Sequence, residues 1–318
     1  MALPFTTVRD LLRFGVSRFT QARLSFGHGS ANAFDEAAYL ILHTLHLPLD
    51  TLDPFLDARL LDDEIDSVMK VIERRAKERI PTAYITQEAW MHGRRFYVDE
   101  RVIVPRSFIG ELLQDGLQPY VADPDHVTRV LELCTGPGCL AILAAQAFEN
   151  ADIDAVDISA DALAVARRNV DDYDLADRVT LYEGDLYVPL PEAKYEVIVT
   201  NPPYVNADAM QTLPEEYRHE PELALAGGAD GMDIVRRIIR EASKWLTEDG
   251  VLVVEIGNER ANVEAAFGGL DLVWLSPSAG EDNVFLIQAA YLPVLTHRTA
   301  ESVTTRDPIR RARKGSVI

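Results

Sequence analysis

Residues 130–157, VLELCTGPGCLAILAAQAFENADIDAVD, decide the fold of this chain. Val130–Leu133 is an apolar run of strand length, and the small apolar residues of 138–148 are typical of a helix. Residues 153–156 indicate a second strand, which ends at Asp157. A strand, a helix and a strand in this order predict one unit of a parallel sheet.

The same alternation continues toward the C-terminus and ends in two short apolar runs, split by Pro277 and Gly280, that predict a hairpin. We therefore predict an α/β fold with a doubly wound sheet. This sheet is parallel except for one antiparallel edge, and its site is at the carboxyl ends of the strands. The further strands are predicted at residues 179–182, 195–200, 251–256, 272–275 and 284–287, and the further helices at residues 159–170 and 233–246.

The first 88 residues carry a helical pattern and are predicted to form a small substrate-recognition domain. Thr7 and Asp10 resemble a capping box at the start of the first helix. Two further helices are predicted at residues 35–47 and 64–79. Their apolar stripes are the expected core of this domain.

A β-hairpin is predicted within residues 89–105, where residues 96–98 and 102–104 are apolar runs around the polar residues 99–101. This hairpin would link the helical domain to the α/β domain, which is assigned to residues 106–295. The last segment, residues 296–318, has six basic and two acidic residues and a composition typical of disorder.

Composition and charge exclude several classes of protein. The chain has 318 residues and a net charge of −20, which disfavours a nucleic-acid backbone as a partner and favours a basic protein. Only the basic tail is suited to RNA contact. No apolar run approaches the ~20 residues that span a bilayer. The two cysteines, Cys134 and Cys139, are too few for a disulfide framework or a zinc site, which favours a cytoplasmic protein without a bound metal.

The loop after the first strand has the features of a nucleotide-cofactor site. Gly136 and Gly138 let a ligand approach the backbone without a Cβ clash, and the following helix offers N–H groups to an anion. Asp157 follows about 20 residues later, the spacing at which an acidic side chain meets ribose hydroxyls. Asp185 is a candidate acceptor for an adenine amino group. The glycine spacing also fits a dinucleotide, so a dehydrogenase remains an alternative.

The tetrapeptide Asn201-Pro202-Pro203-Tyr204 follows a buried strand and is the most specific chemical feature of the sequence. The prolines lack an N–H and stiffen the backbone, so the carbonyls of the Asn201 side chain and of Pro202 can face one planar –NH2 group. Tyr204 places a ring beside them. A methyl donor beside such a clamp makes a coherent site. We therefore favour S-adenosylmethionine as the cofactor and assign catalysis to Asn201, Pro202 and Tyr204.

Together with the loop at residues 134–138 and Asp157, this tetrapeptide resembles the protein-glutamine N5-methyltransferases, a group that modifies release factors and ribosomal proteins. The Leu-Cys-Thr-Gly form of the loop is similar to the branch that methylates large-subunit ribosomal protein three. The resemblance covers nearly the whole chain and includes residues 102–106, 220–231 and 254–257.

The resemblance implies a Rossmann-like, class I S-adenosylmethionine-dependent methyltransferase sheet that methylates a glutamine side-chain amide. The expected partner is a basic protein, large-subunit ribosomal protein three, either free or in a ribosome assembly intermediate. Pro137 departs from the Ser or Thr usual in this group and removes one N–H from the loop. The tetrapeptide is expected to hold the glutamine amide, and the cofactor contacts are assigned to Cys134, Thr135, Gly136, Gly138, Asp157, Asp185, Leu186 and Asn201.

Three other functions are also compatible with the sequence. A glutamine methyltransferase of release factors shares these motifs, and a nucleic-acid methyltransferase acting on an amino group of adenine or guanine shares the tetrapeptide. A non-enzymatic ribosome-binding factor would share the fold alone. His219 is interpreted as a histidine of a charged loop and not as a general base.

Overall fold

The computed structural model describes residues 5–278 and 280–292, so the predicted tail at residues 296–318 lies outside the described residues. The first helix begins with the predicted capping box, because Asp10 N–H donates to the Thr7 hydroxyl and Thr7 N–H donates to the Asp10 carboxylate. Side chains such as Leu11, Phe19 and Ile41 are fully buried between the N-terminal helices. These helices are α1 (Val8–Ala22), α2 (Ala33–Thr44), α3 (Asp62–Glu78) and α4 (Thr82–Thr86).

An antiparallel hairpin follows the helices and consists of β1 (Glu88–Met91) and β2 (Arg94–Tyr97). The chain turns at His92 and Gly93, whose φ angles are 49° and 74°. Two successive residues with positive φ form the kind of tight turn that matches the twist of paired strands.

The hairpin predicted from residues 96–98 and 102–104 is therefore wrong in its strand pairing. After Tyr97 the chain leaves the ladder, because the Asp99 carboxylate accepts hydrogen bonds from the backbone N–H and the guanidinium of Arg101. The apolar residues of this stretch are buried for another reason, since they pack against helix α7 (Ala160–Asp172). They are Val98, Val102 and Val104.

Seven strands form one sheet in the order β5-β4-β3-β6-β7-β9-β8. The first five of these are parallel, and β9 pairs antiparallel with both β7 and β8. The predicted doubly wound sheet with an antiparallel edge is thus confirmed. The strands are β3 (Arg129–Leu133), β4 (Asp152–Asp157), β5 (Val179–Glu183), β6 (Tyr195–Thr200), β7 (Leu246–Glu255), β8 (Val273–Leu275) and β9 (Val284–Gln288).

Helices cover both faces of this sheet, with α5, α6 and α7 on one face and α9 and α10 on the other. The predicted helix at residues 233–246 ends earlier, at Ala242, and Leu246 is already the first residue of β7, paired with Tyr195 of β6. No helix in the described ranges is long and apolar enough to cross a bilayer. The remaining helices are α5 (Ile109–Gln114), α6 (Cys139–Ala147), α8 (Ala207–Thr212), α9 (Asp233–Ala242) and α10 (Arg260–Phe267).

Candidate active site

The strand order reverses between β3 and β6, and the two candidate motifs lie at this switch point. Leu133, the last residue of β3, is in register with Thr200, the last residue of β6. The Thr200 hydroxyl donates to the Leu133 carbonyl oxygen at 2.9 Å. The glycine loop and the Asn-Pro-Pro-Tyr segment therefore start side by side, where open α/β sheets bind their ligands.

The glycine loop is held in place by the buried carboxyl group of Glu132. Glu132 is 2% exposed, and its carboxylate accepts hydrogen bonds from the Thr135 hydroxyl and from the Ala141 N–H in the first turn of α6. Burial raises the pKa of Glu132 to about 8. One of the helix N–H groups that the sequence offered to a cofactor anion is thus bound by the protein's own carboxyl.

Asp157 connects this loop to the end of β4. Its two carboxylate oxygens accept from Gly136 N–H at 2.8 Å and from Ser159 N–H at 2.9 Å. Burial raises the pKa of Asp157, an effect that these backbone hydrogen bonds oppose. Each oxygen keeps a lone pair, so the side chain can accept a further hydrogen bond from a ligand hydroxyl.

A first cavity of about 200 Å³ lies beside Asp157. Two exposed apolar side chains line it, Ile158 at 54% exposure and Leu223 at 58%. Such side chains offer a flat, apolar environment of the kind a planar base needs. Asp185 also lines this cavity, and its carboxylate accepts from the Arg237 guanidinium at 2.6 Å.

A second cavity of about 420 Å³ lies on the other side of the tetrapeptide. The two cavities share Cys134, Gly136 and Asn201 among their lining residues. The Asn201 side chain and the Pro202 carbonyl have no hydrogen-bond partner within the described part of the chain. Both residues line the second cavity, and Asn201 lines the first cavity as well.

The backbone of the tetrapeptide is fixed by the glycine-rich segment at residues 226–231. Val205 N–H donates to the Leu225 carbonyl, and Gly227 N–H donates to the Val205 carbonyl, both at 2.9 Å. A Cβ at Gly227 would lie 2.7 Å from Tyr204 Cα, and one at Gly231 would meet the Tyr204 carbonyl oxygen. Only glycine permits this close approach of two backbones.

Tyr204 packs its ring against Gly257, just beyond the end of β7. Burial raises the pKa of Tyr204, so its hydroxyl stays protonated at neutral pH. Nearby, Glu255 accepts from the Ser107 hydroxyl at 2.6 Å and from Phe108 N–H at 2.8 Å. Burial raises the pKa of Glu255 to about 7. These contacts fix the chain that leads into α5.

An ion pair between Arg106 and the buried Glu220 lies at the wall of the second cavity. Arg106 lines this cavity and donates two hydrogen bonds to the Glu220 carboxylate, at 2.6 and 2.8 Å. Burial by itself would raise the pKa of Glu220, but the hydrogen bonds from Arg106, together with the His28 ring 3.6 Å away, hold that pKa at about 2. The Arg106 guanidinium also lies over the ring of Tyr217, 5.1 Å from its centroid.

Comparison with known proteins shows which family shares this sequence. A ribosomal protein uL3 glutamine methyltransferase from Burkholderia pseudomallei (strain K96243) is 74% identical over 299 residues, which cover 92% of this chain and 97% of that protein. The chain belongs to the family of ribosomal protein uL3 glutamine methyltransferases. The member from Bordetella pertussis is 61% identical over 281 residues, which cover 88% of this chain and 94% of that protein.

Two further comparisons concern the domain and the fold. The methyltransferase small domain matches residues 112–216. Among solved structures, a methyltransferase from Pyrococcus furiosus aligns with a TM-score of 0.43 at 13% identity, covering 72% of this chain and 98% of that chain. The relatives and the domain match confirm the predicted resemblance, and the seven-stranded sheet with helices on both faces confirms the predicted α/β methyltransferase fold.

In this member of the uL3 glutamine methyltransferases, nearly all the predicted site residues line the two cavities. Gly138 does not, since it caps α6 and a Cβ there would lie 3.1 Å from Ala166 on α7. The first cavity contains Cys134, Gly136, Asp157, Asp185, Leu186, Asn201 and Pro203. The second contains Cys134, Thr135, Gly136, Asn201, Pro202 and Tyr204.

The sequence reasoning missed several residues of the site. Ile158 had a readable signal, because it is an apolar residue directly after the acidic end of a strand. Asn169 had none; its side chain bridges β2 to the glycine loop, donating to the Pro137 carbonyl at 2.8 Å and accepting from Tyr97 N–H at 2.8 Å. His219 is half-buried, lies 2.9 Å from the Glu78 carbonyl oxygen and lines neither of the two cavities.

Proposed function

We propose that this protein transfers a methyl group from S-adenosylmethionine to the side-chain amide nitrogen of a glutamine in ribosomal protein uL3, in the cytoplasm. The observation that carries the proposal is the pair of unpartnered acceptors, the Asn201 side chain and the Pro202 carbonyl, beside the boundary of two cavities. Relatives up to 74% identical to this chain are ribosomal protein uL3 glutamine methyltransferases, which supports the same substrate.

The first cavity suits the nucleoside part of the cofactor. Asp157 offers free lone pairs to ribose hydroxyls, and Ile158 and Leu223 offer apolar contact to the adenine. Asp185 shares its carboxylate with Arg237, so one oxygen remains for the adenine amino group. When bound, S-adenosylmethionine supplies a methyl group activated by its sulfonium charge.

The second cavity suits the glutamine side chain. An amide nitrogen is a weak nucleophile because its lone pair is delocalised into the carbonyl group. Acceptors at Asn201 and Pro202 would hold both amide hydrogens, orient the nitrogen and stabilise the positive charge that develops on it. Because Asn201 lines both cavities, the amide that it holds would face the first cavity.

No general base is needed before transfer under this proposal. The amide nitrogen becomes strongly acidic once it carries a methyl group and a positive charge, so it loses its proton to solvent or to a nearby acceptor. The work of the protein is orientation and charge stabilisation, and Tyr204, backed by Gly257, limits the space in which the amide can move.

The test is methyl transfer to purified uL3 from cells that lack this enzyme, with radiolabelled S-adenosylmethionine and mass spectrometry of the modified peptide. We expect one labelled glutamine, loss of labelling in Asn201→Ala, and full labelling in the matched surface variant Asn150→Ala. Asn150 is exposed and lines neither cavity. Label on release factors or on RNA in place of uL3 would contradict the proposal.

A further inference from the structure

A third cavity, of about 550 Å³, lies between the N-terminal helices and the β1–β2 hairpin. Neither the family nor the proposed chemistry assigns it a role. Two carboxylates, Asp50 and Glu88, line it, and among its described lining residues there is no lysine or arginine. Trp90 lines it as well, with 47% of its surface exposed.

The Glu88 carboxylate has one oxygen in use and one available. Its Oε1 accepts from the Tyr39 hydroxyl at 2.5 Å and from the Trp90 indole N–H at 3.3 Å. Its Oε2 lies 3.7 Å from the guanidinium of Arg95, beyond hydrogen-bond distance, and the Arg95 side chain is 63% exposed. The Glu88 side chain is 11% exposed, and a half-buried carboxylate oxygen with only a loose, solvated partner is a strong acceptor for a second cation.

Two buried polar side chains in the wall of this cavity each have an unpaired polar atom. His28 is 5% exposed and Thr82 is 4% exposed. The Thr82 hydroxyl and His28 Nδ1 have no hydrogen-bond partner among the described residues, while His28 Nε2 lies 3.6 Å from the Glu220 carboxylate. Buried polar groups in folded proteins are nearly always satisfied, so unpaired ones mark a place where a polar ligand is expected.

This cavity adjoins the second cavity of the active site. The rings of His28 and Tyr217 pack together with centroids 4.5 Å apart. His28 lines the third cavity, and Tyr217 lines the second. One pair of rings separates the two spaces, so a chain whose glutamine occupies the second cavity would reach the third within a few residues.

We propose that the third cavity is a cation pocket that binds the side chain of a lysine or arginine close to the target glutamine in the substrate. The inference rests on the proposed function and extends it to the recognition of sequence around the glutamine. Glu88 would pair with the cation, Trp90 would contact it through its aromatic face, and Asp50 at the rim would attract it. A ribosomal protein that packs on RNA phosphates carries such side chains, and the net charge of −20 favours them.

The test measures binding and turnover separately. Binding of purified, unmethylated uL3 is followed by calorimetry, and methyl transfer gives KM and kcat. We expect Glu88→Gln and Trp90→Ala each to weaken binding and raise KM about fivefold or more, with kcat, melting temperature and S-adenosylmethionine affinity unchanged. Arg95→Gln should strengthen binding, because it frees the second oxygen of Glu88.

Matched controls separate the pocket from overall charge. Asp66→Asn changes the net charge as Glu88→Gln does, and Phe34→Ala removes an equally exposed aromatic ring, yet neither residue lines the cavity. Arg94→Gln is the control for Arg95→Gln, because Arg94 bonds Gln146 on α6 and does not line the cavity. All three controls should leave uL3 affinity unchanged.

A second set of variants identifies the partner side chain. Each lysine and arginine within about eight residues of the methylated glutamine of uL3, a span of roughly 25 Å when extended, is replaced by alanine. We expect one of these uL3 variants to bind the wild-type enzyme more weakly than unaltered uL3 does. The same uL3 variant should bind the Glu88→Gln enzyme as well as unaltered uL3 does. The pocket would be overturned if wild type, Glu88→Gln and Trp90→Ala bound uL3 with equal affinity. It would also be overturned if every alanine replacement in uL3 weakened binding to Glu88→Gln as much as it weakened binding to the wild-type enzyme. If uL3 binds in this manner but is never methylated, the proposed function fails and the pocket stands.

Discussion

Replacing Gly257 by alanine tests whether the position of the Tyr204 ring matters for turnover. A Cβ at residue 257 would lie 2.7 Å from Cε2 of Tyr204 and 3.0 Å from its Cζ. Carbon atoms in contact prefer ~3.5 Å or more, so the ring must move by about 0.8 Å. A shift of this size in a positioning group lowers kcat by roughly 10- to 100-fold.

The same substitution also strains the backbone, and this contribution must be separated from the effect on Tyr204. Gly257 has a φ of 50°, where an alanine costs about 1 kcal/mol and lowers the melting temperature by a few degrees. Gly93→Ala is the matched control, because Gly93 has a φ of 74° and a Cβ there meets no atom within 4 Å. It should lose stability and keep turnover.

A double-mutant cycle completes this test. In a Tyr204→Ala background the ring is absent, so Gly257→Ala should cost stability alone and lower kcat no further. The assay is single-turnover methyl transfer to uL3 at saturating S-adenosylmethionine. Wild-type turnover in Gly257→Ala, or the same loss of kcat with and without the Tyr204 ring, would refute the reasoning.

Three further predictions concern the acceptors, the cofactor and the buried ion pair. Asn201→Ala should lower turnover by about 100-fold in a radiolabel assay and change S-adenosylmethionine affinity far less, since it removes an oriented acceptor; near-wild-type turnover would count against the clamp. Asp157→Ala should weaken S-adenosylmethionine binding by about 10- to 100-fold in calorimetry, because a charge-assisted hydrogen bond is lost; an unchanged dissociation constant would reject the assignment. The pKa of Glu220 is about 2 in the folded protein, below its ordinary value of 4.5, so its stabilisation is complete above about pH 4.5 and disappears as the pH falls toward 2. Urea unfolding free energies at pH 5 and pH 3 should differ by about 2 kcal/mol through this group, and Glu220→Gln should remove the difference; an unchanged pH profile in that variant would show that another group titrates.

Sequence pattern predicted the sheet well because its central parallel strands, β3, β4 and β6, are largely buried and each ends at a loop with its own signal. The run that ends at Thr200 and the run that ends at Leu133 were both found in this way, and their neighbouring positions in the sheet confirm the switch point. The β1–β2 hairpin was missed because its turn has His92 where asparagine, aspartate or glycine usually marks positive φ. Val98, Val102 and Val104 are apolar because they pack against α7, and this apolar pattern was interpreted as that of a strand.

The candidate site was predicted only where its residues are adjacent in sequence. Asn201 to Tyr204 form one segment, and Asp157 lies at a fixed spacing from the glycine loop, so local pattern was sufficient. The pair Arg106 and Glu220 is separated by 114 residues, and the contact of Ser107 with Glu255 by 148. No periodicity or spacing rule connects residues so far apart, since their contact depends on how the linker and the sheet pack.

The segment at residues 214–226, which carries Glu216 and Glu220, contacts both the N-terminal helical region and the residues around the second cavity. Glu216 is fully buried and accepts from Ser25 N–H at 2.9 Å, and it lies 2.9 Å from the Arg79 guanidinium. Its neighbour Glu220 holds Arg106, and the end of the segment pairs with Val205 after the tetrapeptide.

Deleting residues 1–85 would therefore remove Ser25 and Arg79, the partners of Glu216, together with helices that cover its carboxylate. Such a truncation would report on folding as much as on substrate recognition. Variants at Glu88 and Trp90 keep this segment intact, so they distinguish the contribution of the N-terminal helices to substrate binding from their contribution to the shape of the active site.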